Sequence, residues 1–184
     1  MTDWWEPELE LELHRAPGGD LKYDATTLEN TFQPFEQGEH WLDLGFFAEL
    51  SRAQNHGDPD ASTFGPLLQK QIGSTLHTMN LLLTKEFGSS AATGTVFDYA
   101  WQSKWLWKTE LEPGFEIFGE PGKVGHFGRV GDQAHRAGPI LSGAFVLPQA
   151  GKIKYEVGYL VGLTDAAERG VAVRNADAEA QIVT

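Results

Sequence analysis

The first residues along this chain that could do chemistry sit in one short stretch. Residues 6–14 read Glu-Pro-Glu-Leu-Glu-Leu-Glu-Leu-His, which sets Glu8, Glu10, Glu12 and His14 on alternate positions. A row of carboxylates ending in an imidazole could hold a divalent cation or act as a carboxylate pair. Residues two apart on an extended strand are about 6.5–7 Å apart. That is too wide for one hard cation, whose oxygen contacts are about 2.3–2.6 Å long, unless a neighbouring strand adds ligands. Glu29, Asp43 and Glu49 could supply such ligands and Lys104 a compensating charge. The plainer reading is a wet acidic wall, and no metal is expected.

Other chemistry finds little support. The six histidines, His14, His40, His56, His77, His126 and His135, show no paired metal spacing and fall mostly at strand ends or in loops. Ser103 and Ser142 lie mid-strand, but neither has a histidine at an obvious cross-strand position, and no Gly-x-Ser-x-Gly elbow is present. The glycine-rich residues 119–131 have no strand–loop–helix context for a phosphate cradle, and read as a mobile loop. There is no cysteine, so thiolate ligands and nucleophiles are absent. The expectation is a protein that is not an enzyme and carries no cofactor.

The elements that must position these residues are strands. Leu9, Leu11 and Leu13 alternate with the glutamates, so an extended chain has one apolar and one acidic face. A helix would scatter the same residues around its cylinder. Period-two patterning repeats along the chain, predicting strands at about 7–15, 21–34, 40–52, 64–72, 75–87, 95–108, 114–120, 136–147, 152–163 and 171–183. Gly73 and Ser74 read as a tight turn, residues 36–39 as a short one, and 54–63 and 121–135 as long loops. In the sixth segment Phe97, Tyr99, Trp101, Trp105 and Trp107 share a face opposite Asp98, Gln102 and Lys104. No second domain or linker interrupts residues 1–184.

Segments of this length, joined by alternately short and long connections, predict an all-β, antiparallel up-and-down barrel of the membrane-spanning type, with about ten strands in this chain. A lipocalin-type soluble barrel also alternates, but needs an outer surface dense in lysine, and this chain has 14 lysines and arginines against 26 acidic residues. The net charge of -12 argues against nucleic acid as a partner. No apolar run approaches the roughly 20 residues of a membrane helix. Lys70 and His77 fall on the lipid-side rows near the tight turn, where a lysine can snorkel to the interface.

Several words in this frame resemble a family of uncharacterised proteobacterial outer-membrane proteins. They are Thr2-Asp-Trp-Trp5, His14-Arg-Ala-Pro-Gly-Gly19, Leu28-Glu-Asn-Thr-Phe-Gln33, Gly65-Pro-Leu-Leu-Gln69, Tyr99-Ala-Trp-Gln102, Gly138-Pro139, Lys154-Tyr155 and Gly162-Leu-Thr-Asp165. The resemblance implies a small porin-like or transporter-like barrel of about twelve strands, a bacterial outer-membrane location, lipid and small solutes as partners, and assembly by the barrel assembly machinery. It also implies a signal peptide and a further hairpin ahead of the Thr2–Trp5 turn, and a final strand ending in an aromatic residue. Here Met1 directly precedes that turn and the chain ends Gln181-Ile-Val-Thr184. Incomplete closure, with homo-oligomers as one outcome, is therefore expected.

The functional expectation is a passive or weakly cation-selective channel, with a filled structural or adhesion barrel and a soluble ligand-binding barrel as alternatives. The residues expected to line the lumen are Glu8, Glu10, Glu12, Glu29, Asp43, Glu49, Asp98, Lys104, Glu116 and Glu156. Glu6, Glu120 and Lys154 join them on the same face.

Overall fold

The structure is a computed structural model, and it describes residues 4–15, 19–55, 57–147, 151–167 and 170–174. Alternation of apolar and polar residues is carried into strands throughout. These are β1 (Trp5–Arg15), β2 (Leu21–Phe32), β3 (Asp43–Ala53), β4 (Asp60–Ile72), β5 (Thr75–Phe87), β6 (Thr95–Trp105), β7 (Glu112–Lys123), β8 (Ala134–Leu147), β9 (Gly151–Gly162) and β10 (Gly170–Arg174). The only helical piece among the described residues is the 3-10 turn Val130–Asp132. Each strand pairs antiparallel with the next, giving one ten-stranded up-and-down sheet in sequence order. Among the described residues no ladder joins β1 to β10, so the sheet is open there.

Several boundaries differ from the sequence expectation, each for a local reason. β4 begins at Asp60 because the Asp60 carboxylate accepts the Ala53 N–H at 3.0 Å and starts the ladder early. β6 stops at Trp105: the Trp107 N–H bonds the Trp105 carbonyl at 2.9 Å and the chain turns, which puts Trp107 beyond the strand. β7 extends to Lys123, absorbing Pro121 and Gly122 through a register shift between Phe97 and Tyr99 on its partner. The β2–β3 connection, expected to be a short turn, occupies residues 33–42. It is pinned by the Gly38 N–H on Asp43 Oδ1 at 2.7 Å and by Phe35 edge-on to His40 at 4.5 Å. The expected strand at 171–183 is described only as β10, its remainder lying outside the described residues. The tight β4–β5 turn stands as expected, with Gly73 at φ +59, where a side chain is disfavoured.

The sheet is strongly curved. Gln102 on β6 and Glu156 on β9 are three strand steps apart, about 14 Å on a flat sheet. Their side chains nevertheless meet, with Gln102 Nε2 donating to Glu156 Oε1 and Oε2 at 3.3 and 3.2 Å. The face carrying them must be concave. Two Gly-Pro pairs mark where the curvature is made. At Gly65-Pro66 the β4–β5 ladder is interrupted, and at Gly138-Pro139 the β8–β9 ladder is interrupted in the same way. Proline has no N–H to give, and the glycine lets the next strand come close. A Cβ at Gly65 would sit 1.9 Å from the Leu81 carbonyl oxygen, and one at Gly138 would sit 1.8 Å from that of Tyr159.

Burial on the two faces is inverted relative to a water-soluble sheet. The convex face carries exposed Leu9, Leu11, Leu13, Leu28, Phe46, Leu50, Phe64, Trp105, Phe115, Phe145, Val157 and Tyr159. Leu11 is 63% exposed. The concave face buries Thr27, Thr63, Gln69, Asn80, Glu116, Ser142 and Glu156. It also buries Ala25, Ile140, Ala144 and Leu160, and Phe47 packs against Leu67 with Leu82 on them. Aromatic pairs flank the convex belt. Trp5 stacks on Phe32, Trp105 on Trp107 and Phe145 on Tyr155 toward the β4–β5 turn, and Phe97 meets Phe127 toward the opposite end.

Candidate functional site

The concave face holds three groups of polar residues. The first is an acidic row on β1–β3. Register pairs Glu8 with Glu29 and Glu29 with Glu49. Glu8, Glu10 and Glu29 bring carboxylate oxygens within 4.8 Å of one another. The neighbouring strand therefore supplies the third carboxylate that the spacing argument required. Hydroxyls hold the row in place: Thr27 Oγ1 donates to Glu12 Oε1 at 2.9 Å, and Thr63 Oγ1 to Glu49 Oε1 at 3.3 Å. Three carboxylates this close attract hard cations. They carry six oxygens between them, and Ca²⁺ takes six to eight from carboxylates, carbonyls and water.

The second group is buried. Glu116 is 2% exposed and Glu156 4% exposed. Gln102 lies opposite Glu116 on β6 and donates to Glu156 on β9. A cavity of ≈ 20 Å³, lined by Thr78, Asn80, Gln102 and Glu116 among others, adjoins them. These two glutamates were expected on an open wall. Curvature instead folds β6, β7 and β9 around them.

The third group surrounds a larger cavity of ≈ 480 Å³ at the end nearer the β4–β5 turn. Strands β3 to β9 and the 33–42 and 106–111 connections all reach it. Asp43, Lys104, Lys154, Glu112 and Glu156 line it, so it carries both signs of charge. Asp43 also anchors the 33–42 connection through Gly38. Asp98 is half-buried on the same concave face, one strand from Leu82 by register.

Three features were not found in the sequence. Glu112 falls between the strands that alternation predicts, but β7 starts there and the residue lines the cavity. Arg136 adds a cation to the concave face and pairs with Glu120 at 3.5 Å. Ser103 does have a histidine opposite it, because the β5–β6 register pairs His77 with Ser103. That register is set by the 88–94 connection, whose geometry alternation alone does not specify. On the convex face Lys70 pairs in turn with His77, so Lys70, His77 and Ser103 form one row across β4, β5 and β6. His56 lies outside the described residues, as does the side chain of His14.

The site thus combines an acidic row, a buried amide–carboxylate knot and a cavity of mixed charge on the inside of a curved sheet whose outside is apolar. No protein-family profile, curated protein or solved structure matches this chain.

Proposed function

We propose that the chain forms a membrane-spanning β-barrel of the bacterial outer membrane that passes small cationic or neutral solutes passively. The observation that carries this reading is the inverted burial: exposed leucines and aromatics outside, buried polar groups such as Thr27, Thr63, Gln69 and Glu156 inside. In water that outer face would be an apolar patch far larger than monomers tolerate. In lipid it is the expected surface, with aromatic girdles at both ends. Strand length agrees. The strands β1 to β9 contain 11–14 residues, which at about 3.3 Å rise and a tilt of ~45° cover roughly 26–33 Å along the membrane normal. Assignment to the outer-membrane family, and with it the assembly machinery as a partner, rests on the sequence resemblance alone.

Cation preference follows from the inner charges. The acidic row Glu8, Glu10, Glu12, Glu29 and Glu49 faces an interior whose described cations include Lys22, Lys104, Lys123, Lys154 and Arg136. A low-dielectric wall focuses that field and concentrates counter-ions. The test is the reversal potential of the protein in a planar bilayer under a salt gradient. The parent should favour cations, and a Glu8→Gln, Glu10→Gln, Glu12→Gln variant should move toward neutrality. Anion preference in the parent, or no shift in the variant, removes the acidic row from the conducting path.

A second reading, a filled barrel that conducts nothing, is favoured by one observation. Phe47 and Leu67, with Leu82, occupy the middle of the concave face between the acidic row and the larger cavity. Absence of any conductance from protein inserted in the bilayer would decide for it.

A further inference from the structure

The convex face is mainly apolar; beside scattered polar residues such as Asn30, Arg52, Ser62 and Lys85, it carries a contiguous polar row, Lys70, His77 and Ser103. They sit side by side on β4, β5 and β6, one row in from the Gly73 turn. On either side along these strands are Leu68, Met79 and Trp101 toward the middle, and Ile72 and Trp105 toward the turn. None of these neighbours is acidic. Across the ladder Lys70 pairs with His77, not with a carboxylate.

The row is held in place. Thr75 donates its single hydroxyl proton to the Ile72 carbonyl at 2.8 Å. Its contact with His77 Nε2 at 3.1 Å must then be accepted from the ring. The His77 ring is stacked on Trp101, centroids 6.1 Å apart and planes 14° apart. This leaves His77 Nδ1 as the ring nitrogen for a ligand, a donor when the ring is an imidazolium, beside an ammonium and a hydroxyl. An ammonium and a hydroxyl able to donate to one anion, with an imidazole between them that adds a third donor in its imidazolium form, and apolar surface and tryptophan around them, match a phosphodiester at the base of two acyl chains.

We infer that Lys70, His77 and Ser103 form a binding site for the phosphate of an anionic phospholipid in the leaflet on the short-turn side. The site rests on the membrane reading. Lys70 supplies the charge, Ser103 and His77 the directed hydrogen bonds, and Leu68, Met79 and Ile72 the contact with the chains.

The experiment uses the full chain refolded into phosphatidylcholine vesicles with a trace of spin-labelled lipid. The motionally restricted fraction is compared for phosphatidylglycerol and phosphatidylcholine labels. Preference for phosphatidylglycerol of about threefold or more is expected, falling to near unity in Lys70→Gln and in His77→Gln. Lys85→Gln is the control, since Lys85 is on β5 near the opposite end and donates to the Gly94 carbonyl at 3.2 Å; it should keep the preference. No preference in the parent, or an equal preference in Lys70→Gln, overturns the site while leaving the membrane reading standing. Loss of the preference on adding inorganic phosphate at constant ionic strength reassigns the site to free phosphate and overturns the lipid. No restricted fraction for either label overturns the membrane reading and the site with it.

Discussion

Replacing Phe46 by arginine puts the environment of the convex face to a quantitative test. Phe46 is 47% exposed on the convex face, with Phe32 and Pro66 as its register neighbours. If that surface meets water, an arginine there is a surface substitution, worth within about ±0.5 kcal/mol once lost packing is subtracted. If it meets hydrocarbon, arginine near the midplane costs about 2–4 kcal/mol. At 1.4 kcal/mol per decade that is roughly a 30- to 700-fold fall in the folding equilibrium constant. Phe46→Ala removes the same ring contacts without adding charge, so the difference between the two variants isolates the solvent. The assay is denaturant unfolding from phospholipid vesicles, followed by tryptophan fluorescence and by the heat-dependent gel mobility of folded barrels. Phe46→Arg should fall below Phe46→Ala by at least about 2 kcal/mol. A difference inside ±0.5 kcal/mol would refute the lipid-facing assignment, because period two leaves Phe46 no intermediate orientation.

Other outcomes are expected from the same geometry. Leu67→Ala deletes a side chain that is 0% exposed; it should cost about 2–5 kcal/mol in the same unfolding assay and raise single-channel conductance if the Phe47–Leu67–Leu82 cluster obstructs the path, whereas a stable variant with unchanged conductance removes the cluster from both roles. Gly65→Ala and Gly138→Ala place a Cβ within 1.9 and 1.8 Å of a carbonyl oxygen, so both should fail to reach the heat-resistant folded band; Gly57→Ala, with nothing within 4 Å, should reach it. Among the described residues no ladder joins β1 to β10, and unpaired edge amides are penalised in lipid by several kcal/mol each. Chemical crosslinking in vesicles should therefore trap species larger than a monomer, and a pure monomer with exchange-protected amides along both strands would contradict it.

Strand identity and facing were legible in the sequence because they depend only on the alternation of side chains along an extended chain. Leu9, Leu11 and Leu13 against Glu8, Glu10 and Glu12 need no tertiary information to be separated onto two faces. The β4–β5 turn was equally local, since Gly73 relieves a positive φ that other residues resist. What meets what across strands was decided by register, and register depends on loop geometry that composition does not encode. The trio Glu8, Glu10 and Glu29, the His77–Ser103 pair and the reach of Glu112 into the cavity all come from it. Curvature was decided at a still larger scale. Gly65-Pro66 and Gly138-Pro139 were visible as words, but only the paired neighbour shows that each interrupts a ladder and lets the sheet bend. That bend buries Glu116 and Glu156, two carboxylates that alternation alone leaves on an open wall, because bringing β6 against β9 covers whatever lies between them.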